Sequence, residues 1–397
     1  MQHKKALRAL VDSLKKRGDL LDARLEAAFL AVPRHTFLPG VTVEQAYADE
    51  AVPIKRTLDG VVISSSSQPS MMALMLRQLD LRPGDNVLEI GAGSGYNAAI
   101  MAYLVGSAGK VTSVELDRDL ANQAMDHLAR AHASTVSVVH GDGAQGYAPR
   151  AAYDRIIATV GIWDVPPTWT KQLKDDGIIV APIWVDGIQI SCAFHPQEDG
   201  TLYSADNVPC GFVPLRGIAA GPVVTTRITS SDLTLAADTV DHIDTAALHT
   251  LLSADHDEYY LGTPLSSSDY WHGFLPFLML HSPPGYFFVT YSLNRQSYGM
   301  EGSGFGLITQ GSACFVPFNG MGSSHSYAGA DAFMAMENCV SAWIKAGQPR
   351  TDKLRLALIP RSEEVPSVTA GKIYTRRDHY LHVWLEGVDT SAMSNEQ

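Results

Sequence analysis

The sequence has few of the features that mark membrane proteins or metal-binding proteins. Its four cysteines (Cys192, Cys210, Cys314 and Cys339) are scattered without the spacing of a metal site, which predicts free thiols in a reducing cytoplasm. No apolar run has the length of a membrane span. The basic N-terminus also lacks the continuous apolar core of a secretion signal. We therefore expect a cytoplasmic protein with no metal and no membrane partner.

Positive charge is also scarce. The chain has 30 Lys and Arg against 42 Asp and Glu, a formal net charge of −12, and it contains no run of basic residues. Binding to nucleic acid requires a concentrated basic surface, so no nucleic-acid partner is expected. The sequence also shows no Ser-His-Asp or Cys-His arrangement typical of nucleophilic catalysis. A peptide or a small molecule is the predicted partner.

The length and the pattern of apolar residues predict an α/β fold with three parts. A chain of 397 residues exceeds what one hydrophobic core usually organises. Residues 1–80 are predicted to form N-terminal helices and a loop, and residues 215–397 an α+β accessory domain. Between them, in residues 81–214, apolar strands alternate with helices, which indicates a parallel, doubly wound sheet. The predicted strands are 86–90, 110–116, 136–140, 155–159 and 177–183, and the predicted helices are 97–105, 118–131 and 168–173.

The second half gives weaker signals. A helix at 331–346 carries an apolar stripe that predicts a core face: Phe333, Met336, Val340, Trp343 and Ile344. The segments "YGMEGSGFGLITQG" and "NGMGSSHSYAGA" fit either a recognition surface or hairpin turns.

Two polar clusters of the second half also leave alternatives open. His242, His249 and His256 recur every seven residues, which predicts a polar helix face or loop with the imidazoles too far apart to share a metal. The group at Arg376, Arg377 and His379 fits either pairing with an acidic peptide or a solvated charge cluster, and the solvated cluster is the default.

The most informative stretch is "VLEIGAGSGYNAA". A buried-type strand runs into Gly91, Gly93 and Gly95, and a helix follows. Alternate glycines let the backbone turn sharply and approach a ligand closely. A dinucleotide-binding turn would need a small residue at position 96, where this chain has Tyr96.

The form Glu-x-Gly-x-Gly-x-Gly from Glu89 to Gly95 resembles the first motif of the class I S-adenosylmethionine-dependent methyltransferases, which have a Rossmann-like fold. Glu115 ends the second strand, where an acid can accept the ribose hydroxyls. Asp142, in "HGDG", follows the third strand, where a carboxylate can accept from an adenine amino group. The resemblance implies S-adenosyl-L-methionine as cofactor.

Further motifs narrow the resemblance. "VPRHTFLP", "YADEAVPI", "SSQPSMMALML", "HGDG", "YDRIIATVGIWDVPPTW" and "QLKDDGIIVAPI" occur in this order within about the first 215 residues. Together they resemble the protein-L-isoaspartate O-methyltransferase family, which methylates abnormal aspartyl carboxylates.

This resemblance implies roles for individual residues. Cofactor contacts are expected from Glu89, Gly91, Gly93, Gly95, Glu115, Asp142 and Gly143. The serine of the Ser-x-Pro segment, beside the substrate carboxylate in that family, is here Ser67. Further substrate contacts are expected from Ser66, Gln68, Val160 and Gly161. The run Ser64 to Ser67 would then be part of the substrate loop rather than a linker, although nothing assigns a role to its first two serines.

The long second half departs from a minimal repair enzyme. Long enzymes of this shape resemble those encoded with ribosomally made peptides such as lanthipeptides, where an aspartate is methylated and closes to a succinimide (aspartimide). The leading hypothesis is therefore methylation of an aspartate in a constrained peptide. The alternatives are a general repair enzyme for isoaspartyl residues in damaged proteins and a cofactor-binding scaffold without catalysis.

Overall fold

Two large β-sheets and a two-stranded hairpin organise the chain, and the computed structural model describes them over residues 2–228, 231–238 and 240–388. The α-helices are α1 (Gln2–Arg17), α2 (Ala23–Ala31), α3 (Val43–Ala46), α4 (Pro69–Leu79), α5 (Tyr96–Val105), α6 (Arg118–Arg130), α7 (Pro167–Gln172), α8 (Thr245–Leu252), α9 (Ser267–Asp269), α10 (Leu275–His281) and α11 (Asp331–Lys345). The strands of the first half are β1 (Val52–Arg56), β2 (Val62–Ser66), β3 (Asn86–Ile90), β4 (Lys110–Glu115), β5 (Val136–His140), β6 (Tyr153–Ala158), β7 (Leu173–Val185), β8 (Ile188–Pro196), β9 (Leu202–Ser204) and β10 (Asn207–Cys210). Those of the second half are β11 (Thr225–Arg227), β12 (Thr234–Ala236), β13 (His256–Tyr260), β14 (Phe287–Ser292), β15 (Ser303–Ile308), β16 (Ala313–Pro317), β17 (Ser323–Tyr327), β18 (Leu354–Pro360), β19 (Lys372–Thr375) and β20 (His379–Leu385).

The predicted parallel sheet is confirmed. Strands β5, β4, β3, β6 and β7 are parallel neighbours in that order, and the apolar residues of the inner strands β4, β3 and β6 are buried because helices cover the sheet. The chain leaves β3 on one side for β4 and later returns on the other side as β6. Ligands of doubly wound sheets bind at such a reversal point, outside the carboxyl ends of the strands.

The predicted N-terminal helices are present, and they share one hydrophobic core with α4, α5 and one face of this sheet. Helix α1 buries Leu7, Leu10, Val11 and Leu14, which form one face. The second helix begins at Ala23, because Asp22 caps it by accepting from the Arg24 N–H group. The segment expected to be a loop before α4 is instead the antiparallel hairpin β1–β2.

The second half contains its own antiparallel sheet, ordered β11, β12, β14, β15, β16, β17 and β13. Helix α11 packs on it and buries Met336, Val340 and Trp343, as predicted. Ile344 was wrongly included in the buried stripe: its side chain is 36% exposed, because one residue after Trp343 the helix has turned by about 100°.

The last strands of the chain return to the first sheet. Strand β9 joins β8 to β18, and β20 and β19 continue beyond β18, so residues 354–385 extend the sheet of the first half. Residues 215–397 are therefore not wholly separate from the parallel sheet, because pairing between distant strands crosses the predicted boundary at 214. No helix within the described ranges is long and apolar enough to cross a membrane.

Candidate active site

A cleft of about 760 Å³, partly open to solvent, lies at the carboxyl ends of β3, β4 and β6. Three segments that are distant in sequence line it. They are the glycine turn after β3, the serines at and after the end of β2, and residues 213–216 between the two halves. The reversal point of the sheet therefore does carry a cavity.

The glycine turn forms the floor of the cleft. Gly91, Gly93 and Gly95 all have φ in the left-handed region, at +94°, +51° and +84°. A Cβ at Gly91 would come within 2.8 Å of the Thr159 hydroxyl oxygen. Gly91 and Gly93 line the cleft, whereas Gly95 does not: it caps α5 and faces Leu128. The third glycine is thus required by helix packing, and the expected cofactor contact is not observed in the cleft.

Glu115 joins the floor to the next strand. Its carboxylate accepts the N–H groups of Gly93 at 3.0 Å and Asp117 at 3.1 Å, and the side chain lines the cleft while only 5% exposed. A carboxylate has about four acceptor positions, so capacity remains for hydroxyl groups of a ligand. The residue lies where the sequence predicts a ribose-binding acid.

Glu89 differs from its predicted role. The side chain is fully buried behind the turn, where it accepts from the Ser113 hydroxyl at 2.5 Å and the Asn97 amide at 2.8 Å. Burial raises the pKa of Glu89 to about 7. Asn97 lines the cleft, but Glu89 does not. The carboxyl group therefore orients Asn97 and the start of α5 rather than contacting a ligand directly.

The Asp142 carboxylate accepts a hydrogen bond from the segment at residues 217–218, which follows the first half. Its two oxygens accept from the N–H groups of Ala144 and Ile218, at 2.9 and 2.8 Å. Gly217 permits this contact, because a Cβ there would lie 2.2 Å from an Asp142 oxygen. Gly143 lines the cleft beside it, as expected, whereas Asp142 itself is outside the lining. In this arrangement the Ile218 N–H group donates to the carboxylate that is predicted to accept from an adenine amino group.

The serine run is neither a linker nor a loop. Ser64 and Ser66 are buried, Ser65 and Ser67 are half-buried, and all four line the cleft. Strand β2 contains the first three, and Ser67 follows the strand, separated from α4 by the N-cap residue Gln68. The Ser66 hydroxyl oxygen is buried without a hydrogen-bond partner among the described residues. The run therefore forms the wall opposite the glycine turn.

One buried cation holds this wall in place. Arg34, from the "VPRH" segment, has no exposed surface, and burial lowers its pKa. Its guanidinium donates at 2.9–3.3 Å to five backbone carbonyls, those of Ala46, Ala48, Glu50, Ser66 and Ser67. Sequence reasoning missed this role, although the motif that contains Arg34 was recognised.

Of the other predicted substrate contacts, one lines the cleft and two lie outside its lining. Val160 lines the cleft, as expected. Gln68 is exposed and its amide donates to Asp49 at 3.3 Å, outside the lining. Gly161 is also outside, because its N–H group donates to Val213 and its carbonyl accepts from Leu215, both at 2.8 Å. Strand-like pairing thus occupies the backbone of Gly161.

Residues 213–216 complete the rim of the cleft, and no motif in the sequence predicts this role. Arg216 lines the cleft and forms an ion pair with Asp117, which also pairs with Lys55 of β1 at 3.2 Å. Hydrogen bonds with Asp119 and, to a smaller extent, Asp117 raise the pKa of Lys55. Arg216 and Lys55 lower the pKa of Asp117 despite its partial burial. Asp117 therefore connects the hairpin, the start of α6 and the segment leading to the second half.

The weaker clusters of the second half have mainly structural roles. Arg376 and His379 are buried rather than solvated. The Arg376 guanidinium lies 3.6 Å from the centre of the Trp163 ring, and His379 Nδ1 lies 2.7 Å from Asp164. These contacts attach β20 and the residues before it to the first half. The glycine-rich segments are hairpin turns and adjoining strands, around residues 298–302 and 319–322.

The three spaced histidines do not share a helix. His242 lies in a 3₁₀ turn, His249 on α8, and His256 on β13. The alternative of one shared helix face was wrong, because Asp244 caps a new helix and the chain is already extended at His256.

Comparison with known proteins agrees with this site. Residues 4–219 match the sequence profile of the family described as Protein-L-isoaspartate(D-aspartate) O-methyltransferase. A protein-L-isoaspartate O-methyltransferase of Methanopyrus kandleri is 41% identical over 215 residues, which are 54% of this chain and 92% of that protein. The corresponding protein of Hyperthermus butylicus is 39% identical over 222 residues, 54% of this chain and 90% of that protein.

A solved structure described as a protein-L-isoaspartate O-methyltransferase matches nearly the whole chain. It covers 96% of this chain and 99% of its own, with a TM-score of 0.53 and 25% identity. The two-part arrangement is therefore found in a protein of that name. The chain belongs to the protein-L-isoaspartate(D-aspartate) O-methyltransferase family and is a class I methyltransferase whose cofactor is S-adenosyl-L-methionine.

Proposed function

We propose that the cleft transfers a methyl group to the carboxylate of an isoaspartyl or aspartyl residue in a peptide or protein. The observation that carries the proposal is the shared lining: Ser67 and the glycine turn with Glu115 face one cavity. A cofactor on the turn and an acceptor beside the serine wall would therefore meet. Proximity of this kind can supply a large part of a rate enhancement.

The residues of the floor fit the cofactor. Gly91, Gly93 and Gly143 present backbone without side chains, and Glu115 offers free acceptor positions for ribose hydroxyls. When bound, S-adenosyl-L-methionine supplies an electrophilic methyl group on its sulfonium. Asn97, oriented by Glu89, adds a polar group to the same wall.

The acceptor needs orientation rather than activation. An aspartyl or isoaspartyl carboxylate is ionised at pH 7 and is itself the nucleophile, so no general base is required. The Ser67 hydroxyl would donate to one carboxylate oxygen and leave a lone pair of the other free to attack. Val160 and the walls of the cleft would exclude water. Arg34 fixes the Ser66 and Ser67 backbone from behind.

A linear isoaspartyl peptide is the proposed acceptor. A second candidate is an aspartate in a ring-constrained, ribosomally made peptide. There the next backbone nitrogen attacks the new ester, methanol leaves, and a succinimide forms. Its support is the rim at residues 213–216, which places the start of the second half against the acceptor space. The length of the second half alone does not favour it, because the full-length structural match carries the ordinary family name.

Labelled S-adenosyl-L-methionine separates these candidates. The protein is incubated with a linear isoaspartyl peptide, the same peptide with normal aspartate, and a cyclised aspartyl peptide. We expect base-labile label in the first peptide only. Label in the cyclised peptide alone would establish the second candidate. Cofactor binding without transfer to any of the three would contradict the enzyme proposal and indicate a scaffold.

A further inference from the structure

A cluster of side chains outside the cleft has the composition of a metal site. His256 and Glu258 of β13 and His325 of β17 each offer one ligand atom, and these atoms all lie within 4.8 Å of one another. We propose that the three residues bind a divalent transition-metal ion, with zinc as the best-matched probe. The proposal concerns the second sheet and is independent of the methyl-transfer site.

Strand pairing explains why the three side chains meet. His256 and Glu258 are two residues apart on one strand, so they project from the same face of the sheet. Glu258 pairs directly with His325 on the antiparallel neighbour, and His256 is the diagonal neighbour. Side chains of directly opposed residues lie on one face, within reach of each other. The sheet register itself therefore converges the cluster.

The donor set matches known metal chemistry. Two imidazoles and one carboxylate hold zinc in several enzymes, at about 2.0–2.2 Å per ligand, so ligand atoms around one ion lie about 3–4 Å apart. The observed ligand atoms, all within 4.8 Å of one another, are already close to that spacing. Imidazole also suits iron, copper and nickel, so the site is defined for divalent first-row metals rather than for magnesium or calcium.

Packing already orients both imidazoles. The His256 ring stacks on Tyr327 with 5.2 Å between ring centres, and Tyr327 donates to the Tyr298 carbonyl. Gly299 must be glycine to leave room, since a Cβ there would lie 2.3 Å from His256. His325 Nδ1 is buried without a hydrogen-bond partner among the described residues. A bound ion would supply a partner for this nitrogen of the His325 imidazole.

The site also has an entry path. His325 lines a cavity of about 1250 Å³ that is partly open to solvent, and Glu258 is itself exposed. Three protein ligands leave at least one coordination position free, which is the arrangement of zinc sites that take up water or a carboxylate. The cavity gives such a ligand room to reach the ion.

Zinc titration of the chelator-treated, full-length protein tests this proposal. Calorimetry at pH 7.5 is run on the wild type and on H256A, E258Q and H325A, with H242A as the matched control because His242 is exposed and outside the cluster. We expect one tight zinc equivalent per chain, weakened by about 10–100-fold in each cluster variant and unchanged in the control. Cobalt(II) should give intense visible bands in the wild type and in the H242A control, but not in the cluster variants.

The exposed carboxylate keeps the test decisive if a histidine variant unfolds. Glu258→Gln preserves the size of an exposed side chain, and circular dichroism verifies its fold. Loss of affinity in this folded variant supports the site. Absence of stoichiometric zinc binding in the wild type, or an unchanged affinity in the triple variant H256A/E258Q/H325A, would overturn it.

Discussion

The floor of the cleft and its serine wall are built in different ways. The floor, with Gly91 and Glu115, belongs to the ends of parallel strands at the centre of the sheet. The serine wall belongs to a separate two-stranded hairpin, and its carbonyls are held from behind by Arg34. An isolated hairpin is marginally stable, whereas a central sheet is among the most stable parts of a domain.

This difference suggests that cofactor affinity and methyl transfer depend on separate structural supports. Changes in the floor should weaken cofactor binding and leave the acceptor wall intact. Changes in the hairpin or in Arg34 should lower turnover with a smaller effect on cofactor affinity. Asp117 is the shared point, since it contacts both Lys55 of the hairpin and Arg216 of the rim.

The largest effect is expected from Arg34→Met. The variant leaves five backbone carbonyls without their donor, and two of them, those of Ala46 and Ser66, belong to buried residues. Each unpaired buried group costs about 1–3 kcal/mol. The free energy of unfolding should fall by about 3 kcal/mol or more, and turnover should be nearly lost. Denaturant unfolding and a methyl-transfer assay measure both.

Arg82→Met is the matched control, because its side chain is largely exposed and pairs only with Asp80. It should change the free energy of unfolding by less than about 0.5 kcal/mol. If Arg34→Met were as stable and as active as this control, the hairpin would not depend on the buried cation.

Glu115→Gln should affect the floor alone. The amide loses one charged acceptor for a ribose hydroxyl and places a donor against a backbone N–H group. Loss of a charge-assisted hydrogen bond of about 1.5–3 kcal/mol corresponds to about 10–100-fold weaker cofactor binding. Calorimetry with S-adenosyl-L-homocysteine measures it, with the exposed Glu198→Gln as control. An unchanged affinity would remove Glu115 from the cofactor site.

A further prediction concerns the pH dependence of stability. Burial raises the pKa of Glu89 from 4.5 to about 7, so the folded state keeps this proton where the unfolded state has lost it. The free energy of unfolding should therefore fall as pH rises from 4.5 towards 7, by up to on the order of 3 kcal/mol. Glu89→Gln should flatten this part of the profile, measured by urea unfolding at several pH values. An identical profile in the variant would exclude Glu89 as its source.

Local patterns predicted the parallel sheet and the floor of the cleft, because each depends on a contiguous strand, turn and helix. "NVLEI" followed by alternate glycines is sufficient to place Gly91 and Gly93, and β3 and β5 match their predicted bounds. The resemblance supplied Ser67, which periodicity alone would have left in a linker.

The remaining features depend on contacts between distant segments. The return of β18 to the first sheet, the pairing of Glu258 with His325 and the closure of the rim by Arg216 each join residues far apart in sequence. Arg34 was missed because its partners are backbone carbonyls, which no side-chain pattern reveals. Glu89 and Gly95, two of the predicted cofactor contacts, lie outside the lining of the cleft, because a motif does not distinguish residues that line a site from residues that support the turn.

Ser67→Ala tests most directly whether the floor supports cofactor affinity and the serine wall supports methyl transfer. Single-turnover transfer of labelled methyl to a linear isoaspartyl peptide and cofactor affinity are measured side by side in the wild type, the variant and the exposed Ser13→Ala control. We predict that transfer falls by about 10–100-fold while cofactor affinity stays within about twofold. Unchanged transfer, or equal losses of transfer and affinity, would contradict the assignment of the serine wall to the acceptor.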